Sequence, residues 1–140
     1  MTDLPRDNDA HRFPVSVKGV VLRGDRVVLV KNCRGEWELP GGKLELGEEP
    51  EVCVAREIEE ELQLVVVPEQ LIDAWVYTIA EGTHVVVVTY GCTESVVRRA
   101  VVSDEHIRLE WMSLADLGAL RMPDEYKRSI RRWAARGEPR

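Results

Sequence analysis

Hydrophobic and polar positions alternate with two different periods along this chain. "FPVSVKGVVL" (13–22) and "RVVLVKN" (26–32) are valine-rich, are joined by "RGD", and predict a β-hairpin. "LVVV" (64–67), "LIDAWVYTIA" (71–80) and "THVVVVTYGC" (83–92) predict three further strands, the last two joined by the turn-like "EGT". "IRLEWM" (107–112) predicts a short strand, followed by a brief helix "LADLGAL" (114–120) that Ser113 is placed to cap. Two longer segments follow the helical period. One starts near Pro50 and runs to about Gln63, with Glu48 and Glu49 suited to its positive end. The other, "DEYKRSIRRWAA" (124–135), sets Tyr126, Ile130 and Trp133 on one packed face and leaves Lys127, Arg128, Arg131 and Arg132 as a solvated basic face. Between the first hairpin and the first helix, "GEWELPGGKLELGEEP" is broken by Gly and Pro, which predicts loop around short extended pieces. Strands interrupted by one long helix and closed by another predict an α/β (α+β) fold with a mixed sheet between helical layers.

The helix at 50–63 carries the informative charge. With Val52 set at zero and about 100° per residue, Val54, Ile58, Leu62, Ala55 and Val52 spread over one arc expected to face the core. Glu60, Glu57 and Glu61 fall on the other side, at roughly 80°, 140° and 180°, while Glu59 points away. Like charges at helical spacing repel. Two carboxylates about 4 Å apart cost roughly 4 kcal/mol at an effective dielectric near 20. An open surface lets them splay apart in water, whereas a constrained site requires a proton or a divalent cation. Oxygen donors without His or Cys suit Mg²⁺ or Mn²⁺ rather than zinc. The acids alone leave both readings open. Gly41 and Gly42, stiffened by Pro40, add a loop whose main chain can approach a ligand closely, and that combination favours a metal site.

Length and composition set limits on these readings. The chain has 140 residues, 44% hydrophobic and 31% charged, which fits one globular domain over 13–140 preceded by a loose arm at 1–12. The longest apolar runs, such as Val85 to Val88, are too short for a bilayer. The polar start "MTDLPRDNDAHRF" lacks the apolar core of a signal peptide, so a cytoplasmic location is expected. Cys33, Cys53 and Cys92 are odd in number, lack paired metal spacing, and are expected to be reduced thiols. A net charge of -6 argues against nucleic acid as a partner and means that any phosphate substrate needs a local reversal of the field.

Gly42, Glu48, Arg56-Glu57-Ile58, Glu60-Glu61 and Leu64 resemble the Nudix hydrolase box, G-x5-E-x7-R-E-U-x-E-E-x-G-U with U a bulky aliphatic. Gln63 departs from it, standing where the box has glycine. "WELPGG" and "EWMSL" resemble the family's flanking segments. The resemblance implies an α/β/α sandwich and hydrolysis of a nucleoside diphosphate linked to another group. It also implies divalent metal held by Glu57, Glu60, Glu61 and the Gly41 carbonyl, with Glu48 pairing Arg56. A later-loop carboxylate is expected at Glu105, with Asp104 and Glu94 behind it, and Glu57 or Glu105 would take the proton of the attacking water. Lys31, Arg34 and Lys43 are candidate phosphate contacts; Trp37, Trp75, Tyr77 and Tyr90 are candidates for stacking on a base. The family markers for ADP-ribose and dinucleoside polyphosphates would fall at Thr78 and near Glu81 and are absent. The reading therefore leans to a MutT-like (d)NTP pyrophosphohydrolase using Mg²⁺. An ADP-ribose or nucleotide-sugar pyrophosphatase and a non-catalytic nucleotide-binding module are the alternatives. The expected partner is a small nucleotide, without a membrane, and a homodimer stays open. At Gln63 the expectation is a small stability cost or a shifted helix end.

Overall fold

The computed structural model describes residues 11–80, 82–104 and 108–137. Among these residues the elements run β1 (Val15–Arg23), β2 (Arg26–Lys31), β3 (Trp37–Glu38), β4 (Gly41–Lys43), α1 (Pro50–Leu62), β5 (Val65–Ala80), β6 (Thr83–Val96) and β7 (Arg108–Ser113), then a 3₁₀ turn (Leu114–Ala119) and α2 (Asp124–Ala134). The strands order as β3-β2-β1-β6-β5, with β4 also on β1 and β7 also on β2. β1 and β6 run parallel in register from Val15↔Val86 to Val21↔Cys92, while the other pairings are antiparallel. The sheet is therefore mixed, as expected.

Period-2 alternation gives β1 two apolar faces, each covered by a helix. Val17 and Val21 join Val54, Ile58 and Leu62 of α1 in one core; Val20 joins Leu117 and Tyr126, Ile130 and Trp133 of α2 in the other. Full burial of each such side chain contributes about 1.5–3 kcal/mol, so both helices are held by packing rather than by propensity. Val52 departs from the expected arc: it is 59% exposed, whereas Cys53 and Glu61 are buried. The packed face of α1 is rotated toward the acids because β4, as well as the sheet, lies against that helix.

Two further expectations are revised. "LVVV" and "LIDAWVYTIA" form one strand, because irregularities in the β5–β6 register absorb Pro68 and its polar neighbours. The basic face of α2 is not uniformly solvated. Lys127 is buried and its Nζ donates to the Gly118 carbonyl at 3.3 Å, while Arg128 donates twice to Asp73 on β5, at 2.9 and 2.7 Å. Ser113 caps the 3₁₀ turn as expected, accepting from the Ala115 N–H at 3.3 Å.

Candidate functional site

The site forms where β4 lies between β1 and α1. Lys18 and Val17 pair with Gly41 and Gly42 across the β1–β4 ladder, and the Gly19 N–H donates to the Pro40 carbonyl at 2.9 Å. Gly41 has φ 144°, and a Cβ there would collide with the Val17 carbonyl and the Lys18 backbone, so glycine is required. Its N–H donates to Oε1 of Glu61 at 2.8 Å. Gly42 makes room in a different way: a Cβ would occupy the space of the Glu57 carboxylate, a side-chain end that would then have to shift. Two adjacent glycines thus admit two carboxylates of α1 against the main chain.

Glu61 is 3% exposed, and burying an ionised carboxylate is costly unless it is hydrogen-bonded, paired or metal-bound. Glu57 is partly buried, with Oε1 3.0 Å from Arg56 Nη1. Glu60 is 59% exposed, with Oε2 3.1 Å from the same Nη1. Among the described residues no three His, Cys, Asp or Glu side chains gather closely enough to hold an ion, so the convergence expected from the projection is not realised in this conformation. Glu57 and Glu61 lie on the packed side against β4, and Glu60 turns outward to the guanidinium. The donor set still fits a hard divalent cation in kind: carboxylate and main-chain oxygens beside a glycine cradle, without sulfur or imidazole. Exposed ion pairs are worth little, so Glu60 leaves Arg56 at small cost.

Arg56 anchors the site. Its Nε and Nη2 donate to the two carboxylate oxygens of Glu48 at 2.6 and 3.0 Å, the pair expected from sequence. The guanidinium holds the Glu48 carboxyl down at about 2, and the carboxylates around Arg56 raise that group in turn. Glu48 also accepts from the Glu45 N–H at 3.2 Å, which closes the loop 44–49 on the carboxylate that Arg56 holds to the helix. Cys53 Sγ faces the Gly42 and Lys43 carbonyls at 3.8 and 3.6 Å. Burial first, then the charge of Glu48, pushes that thiol up to about 12, so it is a packed residue rather than a reactive one.

The remaining candidates are scattered. Lys31 Nζ lies 5.5 Å from the Trp37 ring centroid, Arg34 pairs with Glu36 at 3.0 Å, and Lys43 is exposed next to Gly42. Glu94 is held by Arg23 at 2.8 and 2.7 Å and is part of a brace. Asp104 is exposed; Glu105 and His106 lie outside the described residues. Trp37 and Tyr90 are buried, and Trp75 packs edge-on against Tyr126. Tyr77, with Glu36, Arg121 and Pro123, lines a cleft of about 410 Å³.

One residue that the sequence patterns did not single out is Lys18. It is 8% exposed, its stem runs against Gly41, and its ammonium stands 3.9 Å from Glu38. The available signal was a cation at an inward position of the apolar run "VSVKGVVL".

The NUDIX domain family model matches residues 12–134 of this chain. The chain belongs to the Nudix family. As a Nudix hydrolase it acts on nucleoside diphosphate derivatives, and enzymes of this family use a divalent metal. It is 36% identical over 120 residues to a MutT-like protein of Streptomyces ambofaciens, covering 79% of this chain and 75% of that one. A shorter stretch of 57 residues is 42% identical to a putative 8-oxo-dGTP diphosphatase 2 of Mycobacterium tuberculosis, covering 37% of this chain and 40% of the relative. The crystal structure of a MutT NUDIX hydrolase from Burkholderia pseudomallei superposes with a TM-score of 0.72 at 29% identity, covering 86% and 98% of the two chains. The α/β/α sandwich implied by the box is thereby the architecture of this Nudix hydrolase. No helix among its described residues is long and apolar enough to cross a membrane.

Proposed function

We propose that this Nudix hydrolase cleaves a (deoxy)nucleoside triphosphate to the monophosphate and pyrophosphate, with Mg²⁺ as its ion and Mn²⁺ as a substitute. The observation that carries the reading is the fit of Glu57 and Glu61 against Gly42 and Gly41, where a Cβ would meet the Glu57 carboxylate or the β1 backbone. Glu57, Glu60, Glu61 and the Gly41 carbonyl would hold the ion. When bound, it neutralises these acids and polarises the phosphoryl oxygens of the substrate.

The chain's own groups supply the rest. Glu48 fixes Arg56, and Arg56 orients Glu57 and Glu60. Lys43, exposed beside Gly42, is the best-situated of the three phosphate candidates, since Arg34 is engaged by Glu36 and Lys31 lies over Trp37. Glu57 and Glu105 are the two carboxylates that would take the proton of the attacking water. The nucleoside triphosphate reading draws on similarity to a MutT-like protein and to a putative 8-oxo-dGTP diphosphatase.

The test is a phosphate-release screen across nucleotides with Mg²⁺, with Mn²⁺ and with EDTA. Pyrophosphate released from triphosphates, and abolished by EDTA, is the expected result. ADP-ribose cleaved to two monophosphates, with triphosphates untouched, would overturn the substrate; tight binding without turnover would overturn the chemistry.

A further inference from the structure

The face of the sheet that carries α1 has an apolar strip on its outer two strands, and the register shows which residues form it. On β6, Tyr90 and Cys92 belong to the core under α1, whereas Val87 belongs to the core under α2. By alternation Val86 and Val88 point to the α1 side, as do Val76 and Ala74, which lie opposite them on β5. Leu71, opposite Tyr90, joins them. At its lower end the strip opens into a groove of about 450 Å³, where Val52, Ala55 and Glu59 of α1 face Val65, Val66 and Pro68 of β5. At its upper end Phe13 lies edge-on to His84. Phe13, Val52, Leu71 and Val76 are all exposed. Contiguous exposed apolar surface, unlike a single exposed side chain, marks an interaction site.

The strip is open on its face rather than along its edge. β5 is the outer strand, yet Pro68 has no N–H to offer and the Asp73 carboxylate accepts the Ala74 N–H at 2.9 Å. Register irregularities also interrupt this strand, so its edge is guarded against a further strand.

Charge identifies the occupant. Glu51 and Glu59, both exposed, border the groove end. The other end has His11, Arg12 and His84, and among the described residues of 11–14, 74–80 and 82–88 Arg12 is the one formal charge. A two-fold axis close to Ala74 sets Val76 of each copy on Leu71 of the other. The same axis sets the groove end of each copy against the Arg12 end of its mate. The surface is thus complementary to itself in both polarity and charge, which an isologous contact requires.

We propose that this face is a homodimer interface, on which a second copy of the chain packs its own β5–β6 strip antiparallel to the first. Val52, Leu71 and Val76 become covered, and Glu59 of each copy meets Arg12 of the other. The interface does not depend on which nucleotide the site cleaves.

Sedimentation velocity on the full chain, from about 1 to about 100 µM, reads the association directly, since standard interfaces reach micromolar affinity or better. Wild type should sediment as a dimer. Val76→Glu, which buries a charge on each side of the axis, should weaken the dimer at least about tenfold. Arg12→Glu and Glu59→Arg should each weaken it, and the double variant, which exchanges the two charges, should restore it. Wild type that stays monomeric throughout overturns the proposal, as does a dimer indifferent to Val76→Glu. A double variant no better than its single parents overturns the antiparallel pairing. If Val76→Glu fails to fold, the charge exchange decides alone, because Arg12 and Glu59 are both exposed.

Discussion

Gln63 sits at φ 58°, ψ 25° at the end of α1, with its N–H on the Glu59 carbonyl, the left-handed position that the family box fills with glycine. It is the one non-glycine residue with positive φ among those described. A side chain there costs about 1–2 kcal/mol, and glycine gives back about 0.4–1 kcal/mol through the entropy of the unfolded chain. Gln63→Gly should therefore gain about 0.5–1 kcal/mol, seen as a Tm rise of about 2–3 °C with kcat unchanged. The helix end has not shifted, so of the two outcomes expected from sequence the stability cost is the relevant one. Glu60 offers the cleanest test of the acids, because it is exposed and, among the described residues, is held by Arg56 alone. Glu60→Gln should keep its melting temperature within about 1 °C, as surface substitutions do. It should lose orders of magnitude in kcat, and a purified variant with near-normal turnover would remove Glu60 from the site.

Among the elements, the loop 44–49 and α1 are fastened by the Glu48–Arg56 pair, and that fastening depends on pH. The folded Glu48 carboxyl sits at about 2, below its ordinary 4.5, so its contribution is fully present above pH 4.5 and is lost as pH falls toward 2. The Tm difference between wild type and Glu48→Gln should be constant above pH 5 and shrink below pH 4.5. A gap that persisted at pH 2.5 would mean the pair does not set the acid limb. β4 makes its own demand on α1: Gly42→Ala places a methyl group where the Glu57 carboxylate lies. That variant should fold, show altered metal binding by calorimetry, and lose at least tenfold in kcat. The glutamates and their arginine were legible because the box is contiguous and its helix obeys a simple period. The side of that helix that becomes buried was not legible, since β4 reaches it only through pairing with β1. The continuity of β5 was hidden by Pro68 and the polar pair after it, which resemble a break until β6 supplies the ladder. Lys18 was hidden for a related reason: its burial comes from β4 and β6 lying on either side of β1, and neither neighbour is local.

Over the molecule as a whole, the core under α1 shields two thiols and one is left accessible. Cys33 is exposed, while Cys53 and Cys92 are buried and both pushed up to about 12, chiefly by burial. Titration with a thiol reagent at pH 8 should count one reactive group in the native protein and three after denaturation. A second fast-reacting thiol in the native state would show that the α1 layer opens readily. The net charge of -6 gives phosphate binding a long-range penalty, which salt relieves, so KM should fall modestly as ionic strength rises from low values. The parallel pairing of β1 with β6 also has a consequence for biosynthesis. β1 occupies the sheet's interior, yet its partner strand emerges from the ribosome about seventy residues later, which makes closure slow and non-local. Until then the valines of β1 and β2 form an uncovered hairpin. During translation this nascent segment presents valines that only later strands and helices cover.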